Sequence, residues 1–152
     1  MANTQAMCTS FLGELMTATH NFTTGTGNTF KAALYLASAT VNASTTAYSS
    51  TGEVTGTNYT AGGVTVTNGT SPTSTNSSTT AGVGYWTPTA SITYTNVTLT
   101  TAFDAVLIYN SSSSNKAVSV HTFGSQTVTA GTFTLTMPSH TTPTALIRLA
   151  TT

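Results

Sequence analysis

The longest apolar run in this chain, residues 103–109, is hydrophobic on both parities. Ala105, Leu107 and Tyr109 fall on one side and Val106 and Ile108 on the other, with Asp104 the only interruption. A strand covered on both faces reads this way, and the β-branched and aromatic content favours a strand. The pattern predicts a central strand with packed layers above and below it. Its neighbours alternate more simply. Phe30, Ala32, Leu34 and Leu36 share one face of 30–37, Val118 and Val120 one face of 117–123, and Phe133, Leu135 and Met137 alternate with Thr. Period two also resumes at 64–67 and 145–149. Between 85 and 100 the apolar parity slips, from Ile92 and Tyr94 to Val97 and Leu99. That slip predicts a bulge or turn near Thr95-Asn96.

Turn chemistry separates these segments. Thr51-Gly52-Glu53, Gly62-Gly63 and Gly131 read as turns, 110–115 as a hairpin loop, and 68–81 as an exposed loop. Residues 38–58 read as a long excursion over the surface. Several short strands with regularly spaced turns predict a mainly β chain, an antiparallel β-sandwich of jelly-roll or immunoglobulin-like type.

One segment follows the helical period instead. Over 4–20, Met7, Cys8, Phe11, Leu12, Leu15 and Met16 recur in i, i+3, i+4 steps. Asn3 or Thr4 is the expected cap, and Asn21 or the glycines beyond it the expected stop. The chain thus divides into an N-terminal helical arm, 1–22, and a sandwich domain, 23–152. The stripe must be buried against its own sheet or against a neighbouring subunit. Met7, Phe11, Leu12, Leu15 and Met16 are the candidate assembly interface.

Composition changes the picture in one respect: only 4% of residues are charged, where globular chains carry about 25%. Lys31, Lys116 and Arg148 balance Glu14, Glu53 and Asp104, so the net charge is zero. Hydroxyl side chains, Thr above all, take their place. Such a surface has little electrostatic protection against association and suits a protein whose neighbours cover it. No basic cluster is present to neutralise phosphates, so nucleic acid is not an expected partner. No run approaches the ~20 apolar residues of a membrane span, and no basic residue precedes the N-terminal apolar stretch as a secretory leader requires. Cys8 is the only cysteine and forms no intrachain disulfide.

Reactive constellations are missing. The three carboxylates fall in three different elements, with Asp104 expected beside Lys31 or Arg148. His20, His121 and His140 show no metal-ligand spacing. There is no phosphate loop and no nucleophile elbow. No enzyme activity and no cofactor are expected. Tyr48, Tyr59, Tyr85 and Trp86 are candidates for stacking against sugars, although Trp86 fits a core anchor better.

Two stretches carry a resemblance. The first is 30–36 with Thr46-Ala47-Tyr48, Gly52-Glu53-Val54 and Tyr59-Thr60-Ala61-Gly62-Gly63. The second is Tyr109-Asn110, Val120-His121-Thr122-Phe123-Gly124, Ala130-Gly131-Thr132-Phe133-Thr134-Leu135 and Ala145-Leu146-Ile147-Arg148-Leu149. Together they resemble small virion proteins of tailed bacteriophages. The resemblance implies a structural protein located in the virion, most concretely a capsid decoration or cement protein. Its expected partners are copies of itself, as a homo-oligomer, and other virion proteins such as the major capsid protein. A tail, collar or fibre component and a carbohydrate-binding adhesin are the alternatives.

Overall fold

A computed structural model describes residues 2–75, 82–88 and 91–151. In chain order it contains β1 (Ala6–Met7), α1 (Thr9–Met16), β2 (Phe30–Leu36), β3 (Val64–Thr65), β4 (Thr73–Ser74), β5 (Val83–Trp86), β6 (Ile92–Asn110), β7 (Lys116–Leu135) and β8 (Ile147–Ala150). A five-stranded sheet runs in the order β1-β7-β6-β2-β3 and a three-stranded sheet in the order β4-β5-β8. Every strand pair is antiparallel. The chain is therefore mainly β, a two-sheet sandwich with one short N-terminal helix.

The expected central strand is the inner half of β6. It lies between β2 and β7, and Phe103 and Ala105 to Asn110 are all buried. Register places Phe30, Ala32 and Leu34 with Asn110, Ile108 and Val106 on one face, and Lys31, Ala33 and Tyr35 with Tyr109, Leu107 and Ala105 on the other. The first face is covered by aromatic rings. Phe22 stacks on Phe30 with centroids 4.3 Å apart, and Trp86 of β5 lies 4.7 Å from Phe22. These rings join the small sheet to the large one. On the second face Tyr48 stacks on Tyr109 at 4.7 Å. The segment 38–58 is thus a covering layer and not a surface excursion, with Val41, Glu53 and Val54 buried.

The parity slip is a bulge, as the pattern predicts. β6 and β7 shift register between Tyr94 and Val97, and Asn96 takes a positive φ of 52°. Gly131, in contrast, makes no turn. It sits inside β7 opposite Val97, and Ala130 beside it carries φ 44°. The long partner strand β6 continues past this point, so the chain bulges and stays paired. The loop expected over 68–81 contains β4, and its residues 76–81 lie outside the described residues.

The helix is shorter than 4–20. Ala6 and Met7 pair with Val120 and Ser119 of β7 instead of joining it. Asn3 does not cap. It is drawn into the core, where its Nδ2 donates to Leu36 O and Asp104 Oδ1 while its Oδ1 accepts from Val41 N–H. Asp104 accordingly bonds Asn3, and neither Lys31 nor Arg148. Ala18, with φ 55°, ends α1: its N–H donates to Leu15 O and that of Thr19 to Glu14 O. This is the Schellman closure, built on Ala where Gly is usual.

Candidate functional site

The helical period fixes how α1 presents its side chains. Each residue advances about 100°, so Leu12 and Met16 lie roughly 100° and 140° around from Phe11. The structure accordingly divides the predicted stripe. Cys8 at the N-cap and Phe11 are fully buried, and Met7 and Leu15 are partly buried against the core. Leu12 is 45% exposed and Met16 86% exposed. With Leu149 at 43%, they are the exposed large hydrophobic residues among those described.

The helix is tied to the sheet while it shows this face. Glu14 accepts from Lys116 Nζ at 2.6 Å and bonds His20 Nε2 at 2.8 Å. Burial alone would push the Glu14 carboxyl up; hydrogen bonds from Lys116 and His20, with the charge they bring, hold it below the usual range. His20 reaches on to Asn110 through Nδ1 at 3.1 Å, and Asn110 to Asn28. Phe11 meets the His20 ring edge-on at 5.0 Å. The helix is thereby tied to the β6–β7 hairpin end. Cys8, buried and beside the Glu14 charge, has its thiol pushed up to about 11, which removes it as a nucleophile at neutral pH.

Beside this face runs an apolar groove of about 590 Å³ between α1 and the small sheet. Leu15, Phe22, Tyr85, Trp86, Ile147 and Leu149 are among its walls. Exposed Leu149 thus belongs to the groove, and Leu12 and Met16 to the same helix as its Leu15 wall. The apolar groove and the exposed Leu12 and Met16 are the candidate interaction surfaces among the described residues.

Trp86 is only 2% exposed, and its Nε1–H donates to Asn68 and Thr70. It is a core anchor, mostly withdrawn from solvent. Tyr48 and Tyr59 are engaged too. Both hydroxyls donate to Glu53, at 2.6 and 2.8 Å, and Gly62 N–H donates to the same carboxylate at 2.7 Å. This buried carboxylate in a tyrosine cage was not foreseen from the sequence, which places Glu53 in a polar turn. The available signal was an acid in a nearly uncharged chain, with a tyrosine five residues before it and another six after. Burial, with the Glu53 charge beside it, pushes both tyrosine hydroxyls well up, so they remain donors. Tyr35, also buried, is pushed up to about 12.

Glu14, Glu53 and Asp104 each have their own separate partners, and no three His, Cys, Asp or Glu among the described residues could hold a metal ion. His121 bonds Ser119, and His140 accepts from Thr87 N–H and lies on Tyr85. Comparison with family models, curated proteins and solved structures finds no match for this chain. The site's chemistry is therefore read from its own residues. They offer an exposed apolar surface among hydroxyl-bearing, mostly uncharged residues.

Proposed function

We propose that this chain is a structural subunit working by protein–protein contact in a multi-copy assembly, specifically a tailed-bacteriophage virion protein of the capsid-decoration type. The observation that carries the reading is the divided helix. Phe11 locks α1 to its own sheet while Leu12 and Met16 remain in water at 45% and 86% exposure. An 8-residue helix has no need of apolar side chains on its outer face. Burying them against a neighbour is worth about 3 kcal/mol or more. The near-absence of charge supports the same reading, since little repulsion opposes close packing of neutral surfaces. The virion assignment rests on the sequence resemblance.

Deleting residues 1–22 is a poor test, because it also removes Cys8, Phe11 and Phe22 from the core. The double substitution Leu12→Glu with Met16→Glu leaves the core intact. Its expected effect is a loss of binding to purified capsids of about 100-fold or more. Unchanged capsid binding by a folded double variant would overturn the proposal. Antibody labelling of particles in the electron microscope separates a head position from a tail, collar or fibre position.

A further inference from the structure

The long β6–β7 ribbon has one guarded edge and one open edge. Beyond β2, the outer edge of β6 is guarded by the segment before β3. Thr98 N–H donates to Thr57 O, Asn58 Nδ2 to Asn96 O, and Ala37 N–H to Ala102 O. The outer edge of β7 is covered by β1 at Ser119 and Val120. Past that point, among the described residues, no strand other than β6 pairs with β7.

An open edge is usually blunted by charge, proline or a bulge. From 117 to 137 the chain has no Lys, Arg, Asp, Glu or Pro. Bulges do protect part of this edge. Register shifts interrupt the β6–β7 pairing between Thr122 and Gln126, between Gln126 and Val128, between Val128 and Gly131, where Ala130 has φ 44°, and between Gly131 and Phe133. The run after the last of these shifts is different. Phe133, Thr134 and Leu135 pair in unbroken register with Tyr94, Thr93 and Ile92. Here the sequence Thr132-Phe133-Thr134-Leu135-Thr136 alternates strictly, with the threonines exposed and Phe133 and Leu135 half-buried.

We propose that the outer edge of β7 at residues 133–135 pairs antiparallel with the same edge of a second copy. A row of outward N–H and C=O groups, repeating about every 6.8 Å, is matched only by another extended backbone. The second copy is the fitting partner because this edge is its own antiparallel complement. Two identical edges related by a two-fold axis satisfy each other, oppose Thr to Thr, and bring no like charges together. A two-fold contact uses this edge in both copies, so it closes as a dimer. This contact lies on the ribbon, apart from the helix face, and does not depend on the function proposed above.

Analytical ultracentrifugation of the full chain, with hydrogen exchange over a range of concentrations, tests it. A dimer is expected, with amides at 133–135 gaining protection as concentration rises. Thr134→Lys, an exposed substitution that sets two lysines near the axis, should raise the dissociation constant at least ~10-fold. Thr127→Lys, exposed but before the bulge at Ala130, should leave it unchanged. A monomer at all concentrations overturns the proposal. So does a dimer that Thr134→Lys leaves intact, one that Thr127→Lys weakens equally, or one whose new protection falls on 9–16.

Discussion

Glu53 shows how a single residue acquires its surroundings. Three donors converge on its carboxylate: the Tyr48 and Tyr59 hydroxyls and the Gly62 N–H. Gly62, at φ 87°, and Gly63, at φ 71°, allow the chain to turn there; a side chain at Gly63 would put its Cβ 1.7 Å from Ala32 O. Removing the acceptor leaves the buried Gly62 N–H and two half-buried tyrosine hydroxyls without it, at up to ~1–3 kcal/mol each before relaxation. Glu53→Ala should therefore destabilise the protein by about 3 kcal/mol or more in urea denaturation. Glu53→Gln keeps one oxygen and the shape, and should cost nearer ~1 kcal/mol. Equal losses for the two variants would show that the cage is not held by these bonds. The acid and its tyrosines were visible in the sequence, but their convergence was not. Tyr48, Glu53 and Tyr59 are brought together by the path of 38–63 across β2, and a linear pattern does not encode that path.

At the scale of the element, local periodicity makes α1 a helix while tertiary contacts set its ends. The 3.6-residue repeat predicts a helix there, and the helix exists. Its ends were misplaced because tertiary contacts claimed the flanking residues. Asn3 bonds Asp104 and Leu36 O, and Ala6 and Met7 take strand partners on β7. The stop falls on Ala18, a residue with no sequence signal for a left-handed turn. Its φ of 55° costs Ala roughly 1 kcal/mol relative to Gly. Ala18→Gly should consequently stabilise the protein by about 0.5–1 kcal/mol, less the added freedom of the unfolded chain. A raised thermal midpoint confirms this, and a lowered one would mean that Ala18 packing in the groove wall matters more than its backbone.

Across the whole molecule, the fold half-buries a titratable group that it does not pair with charge. His121 on β7 lies beside Ile92, Val106, Leu135 and Met137, and burial lowers its pKa to about 4. The unfolded ring protonates near 6.5. Between these values the unfolded chain binds more protons, so stability falls as pH drops from about 6.5 to about 4 and levels off below. The full shift is worth about 3 kcal/mol, and the ring's partial exposure brings it to roughly 2. Glu14 acts at lower pH, because its depressed carboxyl stabilises the fold above the usual carboxylate range and is lost below it. Unfolding free energies at pH 7 and 4.5 should differ by about 2 kcal/mol, and His121→Gln should remove most of that difference. Persistence of the slope in the variant would place its origin elsewhere.

The order of apolar and polar residues was enough to determine the mainly β class, the doubly buried strand at 103–109, the hairpin at 110–115 and the bulge beside Asn96. Each depends on period two or on local turn preference, which neighbouring residues impose on one another. Only the tertiary structure decided the rest. It split the stripe of α1 into buried Phe11 and exposed Met16, made 38–58 a layer, carried β7 through Gly131 and assigned Asp104 to Asn3. Those outcomes come from strand register and from which surfaces meet across the core. Residues far apart in the chain set both.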